Sequence, residues 1–590
     1  MLKRVVSVII LIAERGLAFR GDNQLVGSRL NGNFLGILEL LAQYDNFLAG
    51  HIATHANRGR GHTHYLSSTI MEALVHTMGE KVLGEIISRV KKSKYYSISL
   101  DSTPDAAHTD QINLVLRYME RDGPVERFVT FMANKGHRAQ DMFDALMEFL
   151  DSHCLDIRNC RGQSYDNASA MRGKYNGLQA KVREKNSFAS WIPCTAHSLN
   201  LVGKNAVECC SSAIYYFDFV EKLFNFFTMS THRHQLLTEA LRHDSSLLTL
   251  KRVTTTRWSC RADATKALKH GYQHIKDVLA RIVDDNQEKG CVRCEAEGLW
   301  KRISRLETGI YTVFWNDILQ RTDATNKSLQ HAKLDLNSAV VSLTSLQNYV
   351  ASKRDSFDTY EQQGKELSGS TNYDNPRKTR LTHHSVRPDQ LDSSHAEGVQ
   401  RSPSSIYKKE SFLPVIDQFI ASLDQRLQAY KHISSQFSFF RHPRKMHSNE
   451  IRAAAERLIR FYPDDLDVEF IAEMTQFAEF ANVFIGEDPE DISIELFLYR
   501  LIMDKGVHDT FPNVEIALRI YLVLMVSNCS GERSFSKLKL IENRMRTSMK
   551  QERLVNLTIM SIESDILHEL DFADIISDFA KRKPRKLSGL

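Results

Sequence analysis

The strongest constraint on the fold is a β-rich block that lies between two long helical blocks. From residue 94 onward, the spacing of apolar residues changes from three and four to two, and polar and apolar residues alternate in "SISLD" at 97–101. This alternation predicts a half-buried strand. Two further β-rich runs are joined across Asp122-Gly123, a dipeptide typical of tight hairpins. The block is therefore predicted to begin with three antiparallel strands.

Helices and strands alternate after the hairpin. The amphipathic helix "AQDMFDALMEFLDSH" precedes a short strand that ends at Asp166, and a helix, the strand "FASWIPC" and the helix "AHSLNLVGKNAVECC" complete the series. Antiparallel strands followed by strand–helix–strand crossovers imply an α/β fold with a mixed sheet and helices on both faces.

The rest of the chain is predicted to be helical. Residues 263–505 show no convincing strand, and the segment 361–405 inside them is polar, poor in aromatic residues and carries three prolines. Such a segment buries too little apolar surface to offset its ordering entropy, so we expect it to be disordered. The expected domains are an N-terminal helical region, the first part of the α/β core, a helical insertion, the completion of the core and a basic tail: 1–90, 91–262, 263–505, 506–570 and 571–590.

Composition and charge exclude several classes of protein. No run of eighteen apolar residues occurs, so no membrane partner is expected, and the apolar opening at 1–19 is interpreted as a helix rather than a signal peptide. The nine cysteines are an odd number scattered over 590 residues, which indicates a reducing compartment. The net charge is +5, and the tail "KRKPRK" is either a nuclear-import-like cluster or a solvated end. Since the body is nearly neutral, bulk charge does not argue for nucleic acid.

Two aspartates stand at the ends of predicted strands. Asp101 ends the first strand and Asp166 ends the fourth, and these strands are neighbours in a mixed sheet of this order. Carboxylates brought together repel unless a cation lies between them, and hard oxygen ligands suit Mg²⁺ or Mn²⁺. From the residues alone, a turn or helix-capping role is the alternative for each aspartate.

Five motifs are spread over nearly the whole chain. Four of them are "SISLDSTPD", "CRGQSYDNASAMRGKYNGLQAKV", "PCTAHSLNLVG" and "TTRWSCRADA", and the fifth is "NCSGERSFSKLKLIENRMRTSM". Together they resemble the hAT-superfamily transposase-like proteins, within them the group similar to zinc finger MYM-type protein 1, and the fifth resembles the hAT C-terminal dimerisation region. The resemblance implies an RNase H-like core that carries a DDE triad and is interrupted by a large all-α insertion.

The resemblance implies catalytic and metal-binding roles for three acids. Asp101 resembles the first acid of the triad, Asp166 the second, and Glu532 in "SGERSFS" the third. In such proteins the triad holds two Mg²⁺ or Mn²⁺ ions for phosphoryl transfer. For Glu532 the alternative is a first-turn glutamate that the helix dipole favours.

Three further residues match family positions that lie near the DNA, and a fourth is the neighbour of one of them. Cys194 and His197 match a short Cys-x-x-His element, for which core packing is the alternative, and two ligands do not make a zinc site. Trp258 matches a tryptophan that stacks with a flipped base, with burial in the core as the alternative. Arg257 beside it is placed to meet a phosphate.

The implied function is that of a hAT-type DDE transposase, which cleaves and transfers DNA strands at transposon ends in the nucleus with the help of metal ions. Family members usually carry a DNA-targeting zinc finger ahead of this region, and this sequence shows none. The alternative is therefore a domesticated, non-catalytic nuclear protein that acts through dimerisation and the binding of DNA or protein. We expect a homodimer or higher homo-oligomer, with the stripe of Leu554, Leu557 and Met560 facing the partner.

Overall fold

The chain divides into two compact units of different architecture. The first unit comprises Met1–Thr195, Gln330–Ala339 and Tyr430–Leu590, and the second comprises Ala196–Leu329 and Val340–Ala429. The computed structural model describes residues 1–58, 65–105, 108–133, 136, 138–166, 168–242, 248–253, 258–331, 334–374, 402–441, 446–484, 492–542 and 549–581. Within these ranges, none of the helices is both long enough and apolar enough to cross a membrane.

The first unit opens with the predicted N-terminal helices, which are α1 (Leu2–Glu14), α2 (Gly32–Ala42), α3 (Asn46–His55) and α4 (Ser68–Ser93). Apolar residues recur at helical spacing on one side of α1 and of α4. These residues, which include Val5, Ile9, Val82 and Ile86, are buried in one core with the central sheet. The opening of the chain is thus a packed helix of the first unit.

The sheet of the first unit has the strand order β3-β2-β1-β4-β5. Its strands are β1 (Tyr96–Pro104), β2 (Asp110–Glu120), β3 (Gly123–Ala133), β4 (Cys160–Tyr165) and β5 (Ser190–Trp191). β1 is antiparallel to β2 and parallel to β4, as the predicted order requires. The predicted hairpin is confirmed, and Gly123 begins β3 at a φ of 135°, which favours glycine. The predicted strand "FASWIPC" is shorter than expected, because only two of its residues pair with β4.

Helices connect the parallel strands and confirm the α/β class with a mixed sheet. The crossover from β3 to β4 contains α5 (Ala139–Ser152), and the crossover from β4 to β5 contains α6 (Ser169–Arg172) and α7 (Leu178–Lys185). In α5, Met142, Leu146 and Leu150 are buried on one stripe, as their spacing predicts.

The second unit is built from helices in the part of the chain that the structure describes. They are α8 (Thr195–Glu208), α9 (Ser211–Thr228), α10 (Thr231–Leu241), α11 (Trp258–Asp284), α12 (Gly290–Ile303), α13 (Leu306–Leu329), α14 (Leu336–Ser352), α15 (Phe357–Ser368), α16 (Pro403–Tyr407) and α17 (Leu413–Gln436), of which α8, α14 and α17 extend across the unit boundary. The unit begins at Ala196 rather than at 263, and the chain returns to the first unit at Tyr430 rather than at 506.

The expected disorder at 361–405 is wrong for its two ends. Residues up to Ser368 continue α15, in which Phe357 and Tyr360 are buried, and residues from Pro403 onward belong to α16. The prediction relied on average polarity, whereas a few aromatic side chains suffice to anchor the ends of the segment. The middle of the segment, 375–401, lies outside the described residues.

The chain completes the first unit with α18 (Ser448–Phe461), α19 (Phe470–Phe484), α20 (Ile494–Lys505), α21 (Pro512–Leu522), α22 (Cys529–Ile541), α23 (Gln551–Ile562), α24 (Ser564–Glu569) and α25 (Ala573–Lys581). The expected basic tail at 571–590 is therefore partly a helix, since Ile575 and Phe579 of α25 are buried. Residues 582–590 lie outside the described part of the chain.

Both faces of the central strands are covered by helices. Ile98, Leu100 and Leu114 on one face belong to the same apolar core as α4. Ser99 on the opposite face of β1 bonds to Asn528, which precedes α22. The strand at 97–101 is therefore buried on both faces rather than half-buried, because Asn528 lies 429 residues beyond Ser99 and its approach leaves no local signal.

Candidate active site

Asp101 and Asp166 lie at neighbouring positions on one edge of the sheet. Leu100 of β1 and Tyr165 of β4 are paired in the parallel register, and each aspartate directly follows one of them. Paired parallel strands are about 4.8 Å apart, so the two aspartates emerge side by side. The predicted neighbourhood of these two acids is therefore present in the fold.

The two aspartates make different local hydrogen bonds. Asp101 is buried, and its backbone N–H donates to Asn113 Oδ1 at 3.0 Å, while its own Oδ1 accepts from the N–H of Ser102 at 3.0 Å. Asp166 is half-buried, and its Oδ1 accepts from the N–H of Ala168 at 3.0 Å, just before α6 begins. Asp166 therefore stabilises a turn, which was the alternative role for this residue. The turn uses one carboxylate oxygen and is compatible with metal binding through the other.

The start of α22 is fixed to the same end of β1. Asn528 is buried, accepts a hydrogen bond from Ser99 Oγ and donates from Nδ2 to the carbonyl oxygen of Leu100 at 3.1 Å. Glu532 lies four residues further on, in the first turn of α22. The helix that carries the third acid is therefore bound to the residue directly before Asp101.

Gly531 allows α22 to approach the sheet closely. A Cβ atom at this position would lie 2.8 Å from Asn113 Nδ2, well inside van der Waals contact. The same Nδ2 donates to Ser534 Oγ at 3.1 Å, and Asn113 Oδ1 accepts from Asp101. Asn113 thus links the strand that carries the first acid to the helix that carries the third.

The electrostatics of the three acids are coupled. Burial, together with the nearby negative charges of Asp166 and Glu532, raises the pKa of Asp101 to about 8. A buried carboxyl group among like charges is neutral or requires a nearby cation. The site therefore favours either a proton or a positive ion beside Asp101.

The donor chemistry of the three acids fits a hard divalent cation such as Mg²⁺ or Mn²⁺, because all the ligands are carboxylate oxygens. Among the described residues, however, no group of three or more His, Cys, Asp or Glu side chains is arranged so that it could hold a metal ion. The acids thus lie at one edge of the sheet, but their side chains are not arranged as a set of metal ligands. Metal binding by Asp101, Asp166 and Glu532 stays a prediction.

A buried ion pair that the sequence analysis missed supports α22. Arg117 Nη1 donates to Glu126 Oε1 at 2.8 Å, and Arg117 Nε donates to the carbonyl oxygen of Leu522 at 3.0 Å. Ser530 Oγ donates to the other oxygen of Glu126. The pair connects β2 and β3 to both ends of the segment that precedes Glu532. The sequence could have indicated it only through the two charged residues, Arg117 and Glu126, that lie within the strands.

The four predicted DNA-contacting residues are placed as follows. Cys194 is buried, its N–H donates to the carbonyl oxygen of Tyr165 at 3.1 Å, and its Sγ accepts from the N–H of Asn528 at 3.3 Å. This position fits the core-packing alternative. His197 is half-buried in the first turn of α8, in the second unit. Trp258 begins α11, but its side chain and the whole of Arg257 lie outside the described residues.

The mixed sheet, its crossovers and the acids at adjacent strand ends define a protein with an RNase-like α/β core. Residues 1–177 match the family described as "ZMYM1/FAM200, RNase-like domain", and residues 494–566 match the "hAT family C-terminal dimerisation region". Both matches confirm the resemblance that the sequence motifs indicate. The second match supports homo-oligomerisation.

Two mammalian relatives are similar along most of the chain. The human protein named "52 kDa repressor of the inhibitor of the protein kinase" is 22% identical over 593 residues, which cover 97% of this chain and 75% of the relative. The mouse protein of the same name is 22% identical over 594 residues, with the same two coverages. The similarity therefore includes both the RNase-like core and the second unit.

Proposed function

We propose that this chain is a hAT-type DDE transposase-like protein in which Asp101, Asp166 and Glu532 bind divalent metal ions for the cleavage and transfer of DNA strands. One observation carries the proposal: two acids follow paired residues of adjacent parallel strands, and the helix with the third acid is hydrogen-bonded to one of those strand ends. Bound Mg²⁺ or Mn²⁺ supplies the activation of the attacking water or 3′-hydroxyl in this chemistry.

The role proposed for each acid follows from its position. Asp101 is held in place by hydrogen bonds with Asn113 and Ser102, so it would be the fixed ligand of a bound ion. Asp166 and Glu532 are only half-buried and have room to move toward an ion. Burial and the nearby charges of Asp166 and Glu532 raise the pKa of Asp101, and a bound cation would oppose both effects by favouring the ionised carboxylate.

DNA at transposon ends is the proposed substrate, and the nucleus is the proposed location. Trp258 and Arg257 are the residues proposed to meet a flipped base and a phosphate, since an aromatic plane and a guanidinium suit these two groups. Cys194 and His197 are proposed to support DNA binding by positioning the start of α8. The names of the two mammalian relatives, which describe repressors, fit a nuclear location.

A second candidate is a domesticated protein that acts without catalysis, through dimerisation and the binding of DNA or protein. Two observations favour it. The relatives that align with 97% of the chain carry the name of a repressor rather than that of an enzyme. The described residues also contain no closed group of three metal-ligating side chains.

Manganese binding and DNA nicking together test the two candidates. The full chain is titrated with Mn²⁺ and the free ion is followed by electron paramagnetic resonance, while nicking of supercoiled plasmid is measured in the same buffer. For the transposase-like function we expect Mn²⁺ binding and Mn²⁺-dependent nicking in the parent protein. Both should fall at least tenfold in Asp101→Asn, because the variant loses the most buried of the three ligands.

The matched control is Asp509→Asn, which removes an aspartate whose side chain is 95% exposed. This control should leave binding and nicking unchanged. Binding of Mn²⁺ without nicking by the parent favours the domesticated candidate with a retained metal site. If Mn²⁺ does not bind, or if it binds equally to Asp101→Asn, the proposed metal site is wrong.

A further inference from the structure

The matched dimerisation region does not offer the surface that its sequence pattern predicts. Leu554, Leu557 and Met560 of α23 were expected to face a partner, but they are buried in the core of the first unit, where α23 packs against α4 and α1. Among the described residues of 494–566, Leu540 is the large apolar side chain that stays exposed, at 59%. In the described part of this region, the apolar side chain that is exposed to solvent therefore lies at the end of α22.

Leu540 lies beside the C-terminal end of α1. A Cβ atom added at Gly16 would lie 3.7 Å from Leu540 Cβ, so the two chain segments are in contact. Leu17, the next residue, is 41% exposed, and Leu11 in the last turns of α1 is 37% exposed. Three partly exposed leucines from two distant parts of the sequence thus lie at one end of α1.

The outer face of α1 leads from these leucines to a pair of exposed aromatic residues. Arg4 and Leu11 are seven residues apart, which is two helical turns, so they share a face of α1. The guanidinium of Arg4 lies 4.7 Å from the ring centre of Phe47, which is 56% exposed, and the nearby Tyr44 is 84% exposed. We call this set the α1 surface: Leu11, Leu17, Tyr44, Phe47 and Leu540.

We propose that the α1 surface is the contact through which two copies of this chain dimerise. The match to a dimerisation region indicates what covers it, because Leu540 belongs to that region and its exposed side chain adjoins α1. A symmetric contact would pair the α1 surface of one copy with that of the other. The leucines alone fall short of the roughly 800 Å² per partner that stable interfaces bury, and the two aromatic residues add exposed area and the usual anchors.

Sedimentation velocity over a dilution series tests the contact. We expect the parent to be a dimer at micromolar concentration. Leu540→Glu and Tyr44→Glu, at the two ends of the α1 surface, should each raise the Kd about 30-fold or more, as expected for the loss of an interfacial anchor. Both side chains are largely exposed within one chain, so thermal unfolding of each variant should match that of the parent.

Val483→Glu is the matched control, since Val483 is 78% exposed on α19 and lies outside residues 494–566. It should leave the Kd unchanged. A monomeric parent means that another partner covers the α1 surface and overturns the proposal. A dimer that neither variant weakens, or that all three weaken equally, overturns it as well. The result is independent of the catalytic proposal, because Mn²⁺ binding and dimerisation are measured separately on the same chain.

Discussion

At the scale of single residues, the candidate site depends on small polar groups that join distant parts of the chain. Asn528 bonds to two consecutive residues of β1, and its own N–H donates to Cys194 Sγ. One side chain and one backbone group thereby connect the first strand, the segment after β5 and the helix of Glu532. Because each bond is buried, the loss of one partner leaves the other without a substitute.

The first prediction concerns Asn528→Ala. The change removes both side-chain bonds and leaves Ser99 Oγ without its acceptor in a buried site. We expect a loss of unfolding free energy of about 1–3 kcal/mol, measured by urea denaturation. Asn33→Ala is the control, since Asn33 is exposed and makes one bond to the Ala18 carbonyl oxygen. Equal losses in both variants would contradict the proposed anchoring role.

The second prediction uses two glycines whose surroundings differ. Gly531→Ala places a methyl group 2.8 Å from both Asn113 Nδ2 and Asn528 Oδ1, so these two side chains or α22 itself must shift and the hydrogen bonds of the two asparagines are disturbed. We expect a destabilisation of about 1–3 kcal/mol by thermal or urea unfolding. Gly298→Ala in α12 meets no atom within 4 Å and should stabilise the protein by up to about 1 kcal/mol. If Gly531→Ala is also stabilising, then the close approach of α22 to the sheet is incorrect.

At the scale of elements, α22 and α23 both pack their apolar stripes into the core of the first unit, although the stripe of α23 was expected to face a partner. Both helices carry apolar residues at three-residue spacing, and the sequence gives no means of telling a core stripe from an interface stripe. In the structure, α23 fills the space between α4, α1 and β3, while the end of α22 emerges with Leu540 exposed. The helix α23 is part of the core because it packs directly on β3 as well as on α4 and α1.

The third prediction follows from the burial of the α23 stripe and the exposure of Leu540. Leu557→Ala removes a buried side chain from the contact of α23 with the core and should cost about 2–5 kcal/mol of unfolding free energy. Leu540→Ala truncates an exposed leucine seventeen residues earlier and should change the free energy of the monomer by less than about 0.5 kcal/mol. Urea denaturation well below the Kd of the dimer separates the two effects. A large loss for Leu540→Ala under these conditions would show that α22 is more deeply buried than its exposure indicates.

The elements also show which parts of the fold the sequence predicts. The hairpin at Asp122-Gly123, the strand ends at Asp101 and Asp166 and the helix of Glu532 follow from local patterns within a dozen residues. The burial of the polar row of β1 does not, because it depends on contacts such as Ser99 to Asn528 across 429 residues. The buried pair of Arg117 and Glu126 was missed for the same reason, since its third partner, Ser530, lies 404 residues beyond Glu126.

At the scale of the whole molecule, the long insertion leaves and re-enters the first unit at one place. Tyr430 begins the returning segment, and its hydroxyl group donates to the carbonyl oxygen of Pro193 at 2.9 Å, just before the chain leaves at Thr195. The ends of the insertion are therefore fixed by a bond within the first unit. A short segment in the middle of the insertion, Gln330–Ala339, also belongs to the first unit. There the Tyr521 hydroxyl donates to Asp335 Oδ1 at 3.1 Å.

The last prediction is that the first unit folds without residues 196–429. Because Pro193 and Tyr430 are in contact, a flexible linker of about eight glycine and serine residues, with a mean span of roughly 15 Å, should join the two ends without strain. The deletion also removes Asp335 and Asn337 and so leaves the buried Tyr521 hydroxyl without its acceptor and without the N–H that donates to it, which should cost about 1–3 kcal/mol. We expect a cooperative thermal transition, followed by circular dichroism, at a lower temperature than in the full chain.

Tyr521→Phe in the full chain is the control for this deletion, because it breaks the same hydrogen bond to Asp335 while the insertion stays in place. If the linker is compatible with the fold, the deletion variant should still unfold cooperatively, and it should lose more free energy than Tyr521→Phe because it also removes the buried Leu336 and Ala339. An unfolded deletion variant beside a folded Tyr521→Phe would show that the strand and helix arrangement around Asp101 requires the second unit. The insertion would then be part of the folding core and not an addition to an RNase-like domain that is stable by itself.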